Sequence, residues 1–222
     1  MRSAIDVAGG PIAPTPTASG LTDQTSGQPD EELLRLVAGN DRDAFLALYR
    51  RYQDVVHRFA FHMSGNDTIA EDITQETFLA LASGARRFDA SRAKFTTYLY
   101  GMVRHLTRRR LRRERVFVTL TGANADRWKA HEPLVEESLV ETASTQQTIE
   151  RVRRAVLSLP PRYREVVVLC DLHGRDYADA AAIVGCGVGT VRSRLHRGRD
   201  LLRQKLGRLN DVARIKRQGH AT

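Results

Sequence analysis

Apolar residues recur along this chain at intervals of three and four, the spacing of one helix face, and rarely alternate as a half-buried strand requires. In "PDEELLRLVAGN" the pattern opens at Pro29 and Asp30, with acids in the first turn, and closes at Gly39 and Asn40. A second helix is predicted from about Asp41 to Met63, with Phe45, Leu48, Tyr52, Val55, Val56 and Phe59 at helical spacing. "SGND" interrupts it, a third helix covers about Thr68 to Ala82, and "RRFDASRAK" reads as a loop. The fourth helix starts near Phe95 and runs to about Arg113. From Val116 onward "VFVTLTGANADRWKAHEPLVEESLVETAST" keeps no steady period and reads as a linker, although "VFVTL" fits a short strand. Helical patterning resumes near Gln146, pauses at Leu159 to Pro161 and continues to His173 and Gly174. Two more helices follow, in "DYADAAAIVG" and "CGVGTVRSRLHRGRDLLRQKL".

These elements predict an all-α fold of two small helical domains joined by an extended linker. The segments are a Pro/Thr-rich disordered extension (1–28), a helical domain (29–115), the linker (116–145), a second helical domain (146–207) and a basic tail (208–222).

Charge divides along the same lines. Among 222 residues, 35 Lys and Arg against 26 Asp and Glu leave a net charge of +9, which fits a polyanionic partner. Residues 86–115 hold 11 basic and 2 acidic residues, and residues 151–222 hold 16 and 6. The first 85 residues reverse the balance, with 6 basic and 12 acidic, and 116–150 has 2 and 6. Two separate anion-facing surfaces are implied.

Other classes find little support. Cys170 and Cys186 lie among apolar neighbours without a CxxC or Cys/His cluster, as buried free thiols in a reducing compartment would. No apolar run approaches the ~20 residues of a membrane span, and the N-terminus lacks the basic start and apolar core of a signal peptide, so a cytoplasmic protein is expected. The seven histidines are scattered, no nucleophile motif occurs, and "GCGVGT" lacks the lysine of a phosphate loop. No cofactor or metal is expected, and no enzymatic activity.

Three stretches carry candidate chemistry. In the first, Asp176 can cap a short helix, with Asp179 placed as in a capping box; Gly185, Cys186 and Gly187 turn the chain into a basic helix. Short helix, tight turn and longer basic helix make a helix-turn-helix. Val188, Val191, Leu195 and Leu202 share an inward stripe. Ser193, His196 and Arg197, with Thr190 beside them, face outward, flanked by Arg192, Arg194 and Arg199. Such a face suits a major groove, where arginine reads guanine and flanking arginines hold phosphates. The plainer alternative is a solvated basic face.

In the second, "KFTTYLYGMVRHLTRRRLRR", Phe95, Leu99, Met102, Val103 and Leu106 point inward, while Thr97, Arg104, Arg108 and Arg115 point away, with Arg112 nearby. Tyr98 and Tyr100 flank the start. Aromatics beside a basic face suit unstacked bases, though tyrosines in the core and arginines on a soluble surface fit equally. In the third, "IAEDITQETFLAL", Asp72, Gln75, Glu76 and Leu79 share one helix face, which resembles a protein-docking surface or an ordinary solvated one.

Taken together, "DAFLALYRRY", "AEDITQETFLAL", "FTTYLYGMVRHL", "LPPRYREVVVL" and "VGTVRSRLHRGRDLL" resemble, in order and spacing, bacterial sigma factors of the small extracytoplasmic-function (ECF) group. The likeness covers roughly residues 30–115 and 146–207. It implies a promoter-specificity subunit with core RNA polymerase, promoter DNA and an anti-sigma factor as partners, and no membrane insertion. Asp72, Gln75, Glu76 and Leu79 fall where the family docks on the polymerase. The helix from Phe95, with the loop from Phe88, falls where the family melts and reads the −10 element; this marks Phe88, Lys94, Tyr98, Tyr100, Arg104, His105, Arg108 and Arg112. Thr190, Arg192, Ser193, Arg194, His196 and Arg197 fall on the helix that reads the −35 element. The 116–150 linker falls where the family threads polymerase channels.

The chain departs from the family pattern at three points: Tyr98 stands where Trp is common, Gly187 where Ser often caps the reading helix, and His105 where Asn is common. A stand-alone helix-turn-helix regulator is the rival reading, but it gives residues 30–115 no task.

Overall fold

The computed structural model describes residues 27–85, 88–121 and 140–218, with side chains placed for 27–85, 88–114 and 146–207. Its elements are α1 (Asp30–Ala38), α2 (Arg42–Ser64), α3 (Asp67–Gly84), α4 (Phe95–Thr121), α5 (Val140–Leu157), α6 (Pro161–Val167), α7 (Tyr177–Val184) and α8 (Val188–Gln218). A π turn over Val168–Leu172 extends α6. Among the described residues there is no strand.

The helix starts follow their capping residues. Asp41 accepts from the backbone N–H groups of Asp43 and Ala44, each at 2.9 Å, and Asn66 accepts from that of Ile69 at 3.0 Å. The left-handed residue closing α1 is Asn40 (φ 66°) rather than Gly39, since an asparagine tolerates that conformation better than most residues. Arg51 and the Tyr52 hydroxyl both reach the Asp30 carboxylate, which ties the start of α1 to the middle of α2. Burial and that bond push the Tyr52 hydroxyl far above its ordinary pKa.

Three helix ends differ from the sequence pattern. α4 runs through "VFVTL" to Thr121, so this stretch is helix and not strand. Continuing a formed helix needs no new nucleus, and β-branched residues cost only a few tenths of a kcal/mol each there. For the same reason α8 runs through most of the expected tail, to Gln218, and α5 begins at Val140, ahead of Gln146. Residues 1–26 of the expected extension and most of the 116–145 linker lie outside the described residues.

The N-terminal core is made by Leu33 and Leu34 of α1, Leu48, Val56 and Phe59 of α2, Ile73 and Leu81 of α3, and Phe95, Leu99 and Val103 of α4. Thr74, Thr77 and Thr107 are buried there as well, and each hydroxyl donates to the carbonyl four residues back, at 2.7 Å. The C-terminal core joins Val156, Leu159, Val166 to Leu169, Ala180, Ile183, Val191 and Leu195. These two cores are contiguous. The end of α2 meets the α5–α6 turn, where Arg164 donates to the Met63 carbonyl (2.8 Å), and Leu157 packs over Gly65, whose φ of 72° and missing side chain make room for it.

Candidate nucleic-acid interfaces

α8 is positioned as its sequence predicts. Val191 and Leu195 are buried, Val188 and Leu202 pack on the core, and Arg192, Ser193, His196 and Arg197 are exposed in a row. Thr190 and Arg194 are half-buried beside them. Asp176 accepts from the Asp179 backbone N–H (2.7 Å), and Gly185 closes α7 at φ 73°. Only half of the predicted capping box forms, because the Asp179 carboxylate faces Lys94 (3.5 Å). Without a side chain, Gly187 contributes its carbonyl, which accepts from Thr190 and Val191.

The outward residues differ in what holds them. Ser193 donates to the Thr190 carbonyl (3.0 Å), His196 lies 3.3 Å from Asp200, and the Arg192 guanidinium stands 5.9 Å from the centre of the Tyr177 ring. Arg199, predicted as a phosphate holder, is bidentate to Asp171 (2.6 and 3.2 Å); that carboxylate compensates its charge. The bond also raises the Arg199 pKa.

The α3 face is exposed as predicted. Leu79 is 70% exposed, an unusual state for a large apolar side chain, and Gln75 is exposed beside it. Asp72 and Glu76 are not isolated: Arg110 lies 3.3 Å from Asp72, and Arg109 pairs with Glu76. The arginines of α4 therefore serve two sides, Arg109 and Arg110 toward α3 and Arg104 and Arg108 toward the C-terminal half. Nothing in local spacing reveals this division, because the acids lie more than thirty residues away.

At the start of α4 the residues separate into two groups. Phe88 packs on Phe95 and Tyr98 (ring centres 6.1 and 5.3 Å apart), so that half-buried Phe88 and Tyr98 sit over the buried Phe95. Lys94, His105, Arg108 and Arg112 are exposed. Tyr100 is 3% exposed, and its hydroxyl lies 2.9 Å from His173 Nδ1, so in this arrangement it is a core residue and not an open stacking surface. Arg104 turns away from the N-terminal core as predicted but meets Glu165 at 3.2 Å, and Arg108 Nε is 3.6 Å from the same carboxylate.

Sequence reasoning missed His173. It stands after the π turn, against Phe59 and Tyr100, with Nε2 3.4 Å from His62 Nδ1. Burial, with His62, Arg58 and Arg175 nearby, lowers its pKa to about 4. Burial also lowers that of His62. Cys170 and Cys186 are free and half-buried, and burial pushes the Cys170 thiol up, away from reactive thiolate. No group of metal ligands occurs among the described residues, and no described helix is long and apolar enough to cross a membrane.

Comparison with known proteins matches these two halves separately. Residues 48–116 match sigma-70 region 2, and residues 149–202 match sigma-70 region 4. The chain is 36% identical over 167 residues to the ECF RNA polymerase sigma factor SigE of Mycolicibacterium smegmatis, covering 72% of this chain and 61% of that one. It is 33% identical over 193 residues to the ECF RNA polymerase sigma factor SigM of Mycobacterium tuberculosis, covering 85% and 90%. In fold it is similar to the sigma factor RpoE of Bartonella quintana, solved with the anti-sigma factor NepR (TM-score 0.59, 24% identity, covering 73% and 96%). With α4 and α8 placed as two basic helices on one scaffold, and both regions matched in order, the chain belongs to the ECF RNA polymerase sigma factors of the sigma-70 family.

Proposed function

We propose that this chain is a promoter-specificity subunit acting in the cytoplasm. It binds core RNA polymerase through Asp72, Gln75, Glu76 and Leu79, reads the −10 element with the α4 face and its preceding loop, and reads the −35 element with the α8 face. The observation supporting this reading is that one chain carries two basic helices, α4 and α8, and an α3 face where Leu79 is exposed beside Asp72, Gln75 and Glu76. On α8, Arg197 and its neighbours suit base edges in a major groove. On α4 and the loop before it, Phe88 and Tyr98 suit stacking of unpaired bases while Lys94, Arg108 and Arg112 track the backbone. Trapping unpaired bases makes melting favourable without a nucleotide-driven step, and the chain needs no catalytic group for it. An anti-sigma factor is the expected protein antagonist, as in the solved complex of RpoE with NepR.

The test is transcription in vitro from sheared DNA of the source organism, using core polymerase free of other sigma factors, with RNA 5′ ends sequenced. New starts sharing two spaced upstream motifs are expected. Their absence, together with tight duplex binding in the absence of polymerase, would favour a stand-alone helix-turn-helix regulator.

A further inference from the structure

Within the basic run from Arg108 to Arg113, two arginines face α3 and meet the acids of the docking face. Arg109 pairs with Glu76, and Arg110 lies 3.3 Å from Asp72 and 3.1 Å from Glu114. Asp72 and Glu76 stand one turn apart on α3, where like charges repel, and the arginines offset that repulsion. The side chains of Asp72, Glu76, Arg109 and Arg110 all remain between 41% and 50% exposed, so a partner can reach both pairs. Gln75 and Leu79 lie open beside them. Two carboxylates around an apolar side chain suit a partner surface that is cationic around an apolar seat. Two fixed cations inside the same contact work against such a partner. Each compensates a carboxylate and repels an approaching lysine or arginine.

We propose that Arg109 and Arg110 set the strength of docking: by pairing with Glu76 and Asp72 they hold the affinity for core RNA polymerase below what the acids and Leu79 alone would give. The inference rests on the docking role given above to α3 and adds what limits it. α4 thus acts on two ligands, with Arg108 and Arg112 directed to a strand while Arg109 and Arg110 moderate the protein contact. An ordinary surface ion pair contributes to stability alone. Here, loss of the arginine lowers or leaves stability while binding improves, so the two readouts part.

The test uses the full-length chain and core polymerase free of other sigma factors, immobilised for surface plasmon resonance. Arg109→Ala and Arg110→Ala are each expected to bind about two- to fivefold more tightly than the parent, the range for losing one exposed ion pair, and the double variant more tightly than either. The gain is expected mainly in faster association and is expected to shrink as salt is raised, as for charges at the rim of an interface. Thermal melting is expected to show no gain in stability. Arg109→Lys keeps the charge and is expected to bind as the parent does. Arg203→Ala, which removes the same charge from α8, is expected to do likewise. Unchanged or weaker core binding in the double alanine variant overturns the proposal, and so does an equal gain in Arg203→Ala, which would trace it to net charge. Leu79→Ala separates this from the docking reading itself. Parent-like core binding by that variant rejects the α3 face, whereas weakened binding beside unchanged arginine variants rejects only the role of Arg109 and Arg110.

Discussion

Gly198 of α8 lies directly against Val167 of α6: a Cβ built on this glycine would stand 2.7 Å from Val167 Cγ2. The reading helix is seated on the C-terminal core through this contact, so its depth depends on an absent side chain. Gly198→Ala gains helix propensity of about 1 kcal/mol but overpacks the seat by about 1–3 kcal/mol. A net loss of stability by thermal melting is expected, and restoration when Val167→Ala is added. Gly101 has open space around the same atom, so Gly101→Ala is expected to raise stability by about 0.5–1 kcal/mol. Equal melting temperatures for the two single variants would contradict the seating.

Leu79 is 70% exposed and supports nothing in its own fold. If α3 docks on polymerase, burying this side chain contributes about 1.5–3 kcal/mol, so Leu79→Ala should weaken core binding roughly tenfold or more. Its melting temperature should stay at the parent's value. Unchanged affinity would place the docking face elsewhere.

Arg197 is exposed on α8, one turn beyond Ser193. An arginine on a base edge discriminates by about 1–3 kcal/mol, whereas one on phosphate acts alike on every sequence. Arg197→Ala is expected to lower transcription chiefly at promoters with the preferred −35 sequence. A uniform fall across −35 variants would assign the residue to the backbone.

His173 joins the two halves, and its pKa of about 4 sets a pH dependence. Its surroundings are cationic or neutral: Arg58 and His62 on α2, Tyr100 on α4, and Arg175 beyond the π turn. In the unfolded chain the imidazole takes up a proton below about pH 6.5, whereas in the folded chain it does so only near pH 4. Unfolded protein therefore binds more protons between these values, and stability falls as pH falls through that window. Between pH 7 and 5 the loss is about 2 kcal/mol. Denaturant melts of parent and His173→Gln should show the slope in the first and most of it removed in the second, the remainder belonging to His62. A slope unchanged by the substitution would place its origin elsewhere.

Helix order and both basic helices follow from the order of residues, because they depend on contacts within a few positions: Asp41, Asn66 and Asp176 cap their own next turn, and Val191 and Leu195 share a face by periodicity alone. Where helices continue without a stop signal, as α4 does through Val116 to Thr121, periodicity loses the boundary, since propagation is nearly free and side-chain pattern is no longer needed. What each charge faces was decided by tertiary structure. Arg104 and Arg109 belong to one basic run, yet packing sends the first to Glu165 and the second to Glu76, partners far away in the chain. Tyr100 and His173 become buried neighbours only when the two cores meet. The sequence alone thus determined which helices carry the basic faces, by local spacing; only the packing of the helices decided which of those charges are paired, because burial and Coulomb pairing depend on distance in space.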